Sequence, residues 1–244
     1  MTTVRFDHLV HWVPNLENAI ARYRDLGFRM EYGGRNPDLG ATNAAWKTGS
    51  AYIEVIAIEG EPNAAIRSGS QWHVLSSVLD AGGGALAFAI LVDDVAATTA
   101  HVQTRGFATI PVTPGRLRLP DGSTGVWTAA VLRDGPAWAP FFINYGFTVD
   151  EWTQRDQAAS DAPWSIDHVV IETPDEHAAA TWLARLLGVS VVLDHGSARV
   201  PLHGCDIQFV PGTADRVTTV ALAGQGAPHG TVAGLRFVRA IEPP

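Results

Sequence analysis

The residues of this chain whose types and positions could do chemistry are His8 and Glu54. His8 lies in the segment FDHLVHWV, where residues 6, 8, 10 and 12 would share one face of a strand. Glu54 lies in AYIEVIAI, on the same strand face as Tyr52 and Ile56. Both are polar groups on largely apolar faces, and burying such a group without a partner costs roughly 2–7 kcal/mol. We therefore expect each of them to have a partner.

An imidazole and a carboxylate that meet in a pocket allow two kinds of chemistry. They could hold a divalent cation that acts as a Lewis acid on substrate oxygens. Alternatively, they could form a hydrogen-bonded pair without metal, in which either group serves as a general acid or base. The residues alone leave both alternatives open.

A repeated unit positions these two residues. The segments FDHLVHWV, PNLENAIARYRDLGF and RMEYGG read as strand, helix and strand, and two more strands follow, which gives βαβββ over residues 4–58. The pattern recurs over residues 85–147, where Ala87 and Phe107 are spaced as His8 and Phe28 are in the first unit. A third unit begins at SIDHVVIET, and TVAGLRFVRAI reads as a final strand.

The repeat predicts an α+β protein in which βαβββ modules form a cupped mixed β-sheet, with a third module at the C-terminus. Residues 1–148 are expected to form a two-module domain, 149–164 a polar linker and 165–244 the third module. Two modules side by side would curve around a pocket that takes side chains from both. The third module lacks a complete mate, so we expect a homodimer that supplies one.

The composition argues against several classes of protein. The net charge is −8 and the 17 basic residues are scattered, so neither nucleic acid nor a membrane surface is an expected partner. The single cysteine, Cys205, rules out an internal disulfide framework and a thiolate zinc cluster. The N-terminal residues do not resemble a secretion signal, which leads us to expect a cytoplasmic protein. Since the chain has no phosphate loop or dinucleotide fingerprint, we expect no nucleotide cofactor.

The sequence resembles the vicinal oxygen chelate superfamily, which includes glyoxalase I, extradiol dioxygenases and antibiotic-binding resistance proteins. More narrowly, it is similar to the glyoxalase-like group. The resemblance is carried by FDHLVHWVPNLENA, GGRNPDLGATNAAW and AYIEVIAI in the first unit, and by LAFAILVDDV and APFFINYG in the second.

In that superfamily, metal ligands come from the first and last strands of paired modules. The corresponding positions in the three units are His8 with Glu54, Ala87 with Asn144, and His168 with Gln208. The resemblance thus implies that His8 and Glu54 could ligate a divalent metal ion, joined by His168 and Gln208 if the third unit shares the site. Ala87 cannot ligate and Asn144 is a poor ligand.

The segment GGRNPDLGATN between two predicted strands is rich in Gly, Asn and Asp. It could be a loop that hangs over the pocket, with Arg35, Asn36 and Asn43 binding a polar substrate group. Arg35 could then hold a carboxylate in a bidentate fashion. Alternatively, it is a long hairpin loop with Arg35 in solvent.

Further candidates for substrate binding are Trp46, Trp127 and Asn144. The tryptophans could line an aromatic pocket or pack in the core. His11 lies on the opposite strand face to His8, so we expect it at the surface or in an interface.

Two functions follow. The first is a small-molecule enzyme of the lyase, isomerase or dioxygenase type, with Glu54 as base or ligand, His8 as ligand or acid, and Arg35 as the substrate anchor. The second is a non-catalytic protein that sequesters an aromatic or hydrophobic small molecule. The retained pair His8 and Glu54 favours the first, whereas Ala87 and Asn144 favour the second.

Overall fold

The computed structural model describes residues 4–49, 51–61, 70–159, 162–194 and 196–240. The first module contains β1 (Val4–Trp12), α1 (Leu16–Asp25), β2 (Glu31–Asn36), β3 (Ala41–Lys47) and β4 (Tyr52–Ile58). The helix α2 (Ser70–Asp80) precedes the second module, which contains β5 (Gly84–Val92), α3 (Val95–Thr104), β6 (Thr113–Arg118), β7 (Thr124–Val131) and β8 (Phe141–Asn144).

The second half of the chain begins with α4 (Val149–Ala159). The third module contains β9 (Ser165–Thr173), α5 (Glu176–Leu187), β10 (Val192–Asp194), β11 (Ser197–Val200) and β12 (Asp206–Pro211). The final strands are β13 (Arg216–Ala223), β14 (Gly230–Val232) and β15 (Leu235–Arg239). Among the residues that the structure describes, no helix is both long and apolar enough to cross a bilayer.

The first two modules close into a barrel. Its strands follow the order β1-β4-β3-β2-β6-β7-β8-β5, and β5 pairs with β1 to complete the ring. Within each module the first and last strands are parallel neighbours, β1 with β4 and β5 with β8. The pairing between neighbouring strands of the ring is shortest where β2 meets β6. Among the described residues, these two strands pair at one position, Arg35 with Arg118. The predicted α+β fold of repeated βαβββ modules is confirmed.

The third module repeats this pairing and continues the same sheet. β9 is parallel to β12, which pairs with β11, and β11 pairs with β10. β13 runs antiparallel to β9 and also contacts β5 through Val217 and Ala85, which joins the two halves. β15 is parallel to β13, as β4 is to β1, so β13 to β15 form a shortened module. The final strand expected from TVAGLRFVRAI is the hairpin of β14 and β15.

A side-chain cap begins the helix of each module. Asn15 accepts a hydrogen bond from the backbone N–H of Asn18, and Asp94 and Asp175 make the equivalent contacts in α3 and α5. Such caps satisfy backbone donors that the first turn leaves unpaired and contribute about 1 kcal/mol each. The helices cover one face of the sheet, where the main apolar core lies, and leave the inside of the barrel to other side chains.

The segment expected as a polar linker contains the helix α4. Its start is a capping box, because Glu151 accepts from the N–H of Thr148 at 2.9 Å and the hydroxyl of Thr148 accepts from the N–H of Glu151 at 3.2 Å. Val149 is buried, and Trp152 packs on the aromatic residues after β8. Four polar side chains of this helix, Asp150, Glu151, Gln154 and Arg155, are exposed.

Candidate functional site

A β-bulge places two neighbouring residues, Asp7 and His8, in contact with each other. The register between β1 and β5 shifts between Phe6 and His8, so Asp7 is the extra residue. A bulge changes the alternation of side chains along a strand, and bulges are common near active sites. The result is a hydrogen bond of 2.7 Å between Nδ1 of His8 and Oδ2 of Asp7, both of which are buried.

The other nitrogen of His8 faces Glu54. The parallel register of β1 and β4 pairs His8 with Tyr52 and Val10 with Glu54. It leaves Nε2 of His8 3.4 Å from Oε2 of Glu54. The second carboxylate oxygen of Glu54 accepts a hydrogen bond from the Asn43 amide on β3. Gly33 on β2 makes room for that amide, since a Cβ at this position would collide with it.

Two tyrosines extend the hydrogen-bond network behind His8. The hydroxyl of Tyr145 donates to Oδ2 of Asp7 at 2.8 Å and lies 2.8 Å from the hydroxyl of Tyr52. The ring of Tyr52 in turn stacks on His8, with centroids 4.5 Å apart. Burial, and then the negative charge of Asp7, raise the pKa of Tyr145 well above its usual value, which keeps this phenol neutral.

This network assigns the protons. Tyr145 has one hydroxyl proton and donates it to Asp7, so Tyr52 must donate to Tyr145. With Asp7 as the acceptor, Nδ1 of His8 carries a proton and Nε2 of a neutral imidazole would present a lone pair to Glu54. Two acceptors would repel at that distance. A proton on Nε2 of His8 or on Oε2 of Glu54 would remove this repulsion.

These groups form one patch on the wall of a cavity of about 1560 Å³ inside the barrel. Ligand pockets in proteins usually measure roughly 300–1000 Å³, so the volume suits a large ligand. Most of the wall is apolar, and its aromatic residues are Trp12, Tyr32, Tyr52, Trp72, Trp127, Phe141, Tyr145 and Trp152. The side chain of Glu54 is 20% exposed and that of His8 only 3%, so the carboxylate is the group that a ligand can reach.

The helix α4 supplies part of this wall. Trp152 stacks on Tyr145, with ring centroids 4.2 Å apart, and the guanidinium of Arg155 lies 4.4 Å from the ring centroid of Phe147. The buried Arg5 of β1 donates to the hydroxyl of Thr153 at 2.8 Å and thereby attaches the helix to the barrel. Sequence reasoning missed these residues, although the capping box of Thr148 and Glu151 would have indicated a helix.

Three of the residues expected to bind substrate line the cavity: Asn36, Asn43 and Trp127. Asn36 also holds the turn after β2, because its side-chain oxygen accepts from the N–H groups of Asp38 and Leu39. The indole of Trp127 lies across Gly115 on the neighbouring strand, where a Cβ would collide with it.

The other three lie outside the cavity, which corrects the expectations for Arg35, Trp46 and Asn144. Arg35 is exposed on β2, and the segment is a hairpin between β2 and β3, which agrees with the second of the two alternatives drawn from the sequence. Trp46 is buried in the core and packs edge-on against Phe28, because it lies on the other face of β3 from Asn43. The amide of Asn144 donates to the carbonyls of Val92 and Phe147 at 2.8 and 2.7 Å and so stabilises the turn after β8.

The third module has its own Asp–His pair, but the structure does not bring it to the cavity. Nδ1 of His168 lies 2.6 Å from Oδ2 of Asp167, and the register of β9 against β13 shifts at the same place. Gln208 instead donates to the hydroxyl of Ser197 at 3.2 Å. β5 and β13 separate β9 from β1, so His168 and Gln208 do not join His8 and Glu54.

The donor set around His8 does not fit a resident divalent ion. Nδ1 of His8 is engaged by Asp7, which leaves Nε2 and the carboxylate of Glu54 as ligands. At the matching positions of the second module, Ala87 has no donor and Asn144 bonds to backbone groups. Over the described ranges, no group of three or more His, Cys, Asp and Glu side chains could hold a metal ion. Protein sites usually provide three or four such ligands.

Several solved structures share this architecture. No protein of curated function matches the sequence. A hypothetical protein from Staphylococcus aureus has a similar structure, with a TM-score of 0.82 and 15% identity over 97% of this chain and 100% of the other. A Mn(II)-bound glyoxalase from Novosphingobium aromaticivorans is similar with a TM-score of 0.54 and 16% identity over 92% of this chain and 67% of the other.

A mutant of 4-hydroxymandelate synthase from Streptomyces coelicolor is also similar, with a TM-score of 0.58 and 12% identity over 91% of this chain and 71% of the other. At these identities, the likeness shows a shared fold. The family evidence is separate, because the family model of the glyoxalase-like domain matches residues 6–187. The chain therefore belongs to the glyoxalase-like domain family, within the vicinal oxygen chelate superfamily.

Proposed function

We propose that this chain is a small-molecule enzyme of the glyoxalase-like kind, in which Glu54 moves a proton on a substrate bound in the barrel. The observation that carries the proposal is the 3.4 Å contact between Nε2 of His8 and Oε2 of Glu54 on the cavity wall. Each group has a second partner that fixes its orientation, Asp7 for the imidazole and Asn43 for the carboxylate. Burying an imidazole and a carboxylate costs free energy. A protein that only encloses an apolar ligand would gain nothing from such a pair.

The exposure of the two side chains supports different roles for them. Glu54 reaches the cavity and is the general base that would touch substrate, whereas His8 lies behind it and holds or returns the proton. Glu54 would take a proton from a carbon next to a carbonyl. The electron pair of the C–H bond would form a C=C bond as the π pair of the C=O bond moves onto the oxygen, which gives an enolate. Returning the proton to a different atom gives an isomerase, and loss of a leaving group gives a lyase.

This assignment narrows the three reaction types expected from the sequence. Proton transfer by His8 and Glu54 does not need a metal ion, so these two side chains are compatible with isomerase and lyase chemistry. A dioxygenase needs a redox metal or a comparable cofactor, and the side chains around His8 do not complete a metal site.

Hydrogen–deuterium exchange tests the proposal without knowledge of the natural substrate. The protein is incubated in D₂O with aryl ketones, α-hydroxyketones and β-keto acids, and loss of the C–H signal is followed by NMR. We expect exchange with part of this panel, slowed about 10²- to 10⁴-fold in Glu54→Gln. Glu172→Gln is the matched control, since Glu172 pairs with Arg216 on β13 and is remote from the cavity. Absence of exchange across the panel, or exchange that Glu54→Gln leaves unchanged, contradicts the proposal.

A binding protein for a hydrophobic or aromatic small molecule is the second candidate. The observation that favours it is the large, mainly apolar cavity with eight aromatic residues in its wall. Binding of aromatic probes to a protein that catalyses no exchange would support this function over the first.

We also propose that the protein forms a homodimer through its third module. β10 is the last strand on its side of the sheet, and its Val192 and Leu193 are 50% and 63% exposed. An exposed apolar edge strand is a surface on which a second copy could pair. Light scattering that detects only monomer at working concentrations contradicts this proposal.

A further inference from the structure

The cavity wall near α4 combines aromatic surface with a cation. Tyr145 and Trp152 stack on each other, and both line the cavity. Arg155 follows Trp152 by three residues on the same helix, which places both side chains on one helical face. Arg155 also lines the cavity.

Arg155 is poised to bind an anion. Its guanidinium is held over the ring of Phe147, and no carboxylate among the described residues pairs with it. Stacking occupies the flat face of a guanidinium and leaves its N–H groups free to donate in the plane. A carboxylate is the group whose geometry matches two parallel donors of this kind.

The other cations of the cavity wall are less suited to this role. Lys47 is already 3.7 Å from the carboxylate of Glu31. Arg133 lines the cavity together with its neighbour Asp134, whereas Arg155 is held over an aromatic ring, that of Phe147. Arg155 thus provides a positive charge next to the aromatic stack, in the role that the sequence had suggested for Arg35.

We propose that the ligand of this cavity is a flat aromatic carboxylate. Its ring would lie against the wall formed by Tyr145 and Trp152, and its carboxylate would bind Arg155. The inference rests on the proposed function for the location of the ligand, but it concerns binding and can be tested without turnover. The net charge of −8 repels anions from the protein as a whole, so the preference for an acid must come from a local cation.

Isothermal titration calorimetry with 2-naphthoate and its neutral isostere 2-naphthamide tests the inference. At low ionic strength, we expect the acid to bind the wild-type protein about tenfold more tightly than the amide. Arg155→Met should remove that preference and leave the amide affinity unchanged. Arg185→Met is the matched control, because Arg185 stacks on Phe107 at 4.8 Å outside this cavity. High salt should weaken binding of the acid to the wild-type protein and not that of the amide.

Several results would overturn the inference: equal affinity for the two probes, no binding of either, or an acid preference that survives in Arg155→Met. Equal loss of both affinities in Arg155→Met would also overturn it, because the arginine would then be structural. The outcome is separable from that of the exchange experiment. An Arg155-dependent preference without exchange supports the inference and contradicts the enzyme, whereas exchange without the preference does the reverse.

Discussion

The carboxylate of Asp7 lies 2.7 Å from Nδ1 of His8, and this contact decides which nitrogen of the imidazole faces Glu54. Asp7→Asn should change the tautomer, because an amide N–H in place of the carboxylate would favour an unprotonated Nδ1. Imidazole ¹⁵N chemical shifts measure this directly. We expect a protonated Nδ1 at His8 in the wild-type protein and a shift of that proton toward Nε2 in the variant.

Asp167→Asn provides the control for this measurement. Asp167 makes the same contact with His168 in the third module, at 2.6 Å. This variant should alter the signals of His168 and leave those of His8 unchanged. If the shifts of His8 are insensitive to Asp7→Asn, Asp7 does not orient it.

Tyr145→Phe should destabilise the fold through the buried network. The substitution keeps the ring that stacks on Trp152 but removes the hydroxyl that joins Asp7 to Tyr52. A buried acceptor that loses its donor costs about 1–3 kcal/mol. Urea unfolding at neutral pH should therefore show a loss of this size in the free energy of unfolding.

The exposed Tyr32 offers a comparison for this loss. Its hydroxyl also donates to a carboxylate, that of Glu17, but the contact lies at the surface. Tyr32→Phe should change stability by less than about 0.5 kcal/mol. If both substitutions lower the free energy of unfolding equally, the burial of the Tyr145 hydroxyl does not increase its contribution to stability.

The module architecture was predictable because each module repeats the same local signals. Asn15, Asp94 and Asp175 cap their helices in the same way, and each is followed by a helix of similar length. Such signals depend on residues only a few positions apart, so they can be recognised from the sequence alone. The side of the strand on which His8 and Glu54 lie was predictable for a similar reason. Alternation put His8 on the face of Val10 and Trp12, and Glu54 on that of Tyr52 and Ile56, and all of these residues line the cavity.

The remainder of the site depends on features that alternation does not describe. Asp7 contacts the site because a bulge shifts the phase of β1, and strict alternation assigns it to the opposite face from His8. Tyr145 reaches Asp7 across 138 positions of chain, a contact that only barrel closure creates. The prediction that Trp46 lines the cavity was wrong because both faces of β3 are buried, one in the core and one in the cavity wall. An apolar residue on this strand is compatible with either face.

His11 should make the protein less stable in mild acid. It was expected at the surface or in an interface, but it is fully buried, with Nδ1 2.7 Å from the hydroxyl of Tyr23 and Nε2 3.0 Å from the carbonyl oxygen of Ala233. Burial lowers its pKa from 6.5 to about 4, and the bond to Ala233 opposes this only in part. The unfolded chain thus binds the proton more readily than the folded one.

The sign of the effect follows from this difference. The stabilisation from a neutral His11 is fully present above pH 6.5 and is lost as the pH falls toward 4, with a total of about 3 kcal/mol. Urea unfolding between pH 7.5 and 4 measures it. His11→Gln should flatten this part of the profile, whereas His73→Gln, at an exposed histidine of α2, should not. A profile that His11→Gln leaves unchanged would assign the acid sensitivity to other groups.

The metal content of the protein tests the donor-set argument. With Nδ1 of His8 engaged by Asp7, a divalent ion would find two ligands, His8 and Glu54, where three or four are usual. Protein purified without chelators should therefore contain well below one Mn, Fe, Ni or Zn per chain by elemental analysis, and dialysis against EDTA should leave its thermal midpoint unchanged. Glu54→Ala should not alter the metal content. Metal near one per chain that is lost in Glu54→Ala would contradict this argument, because Glu54 would then be a metal ligand.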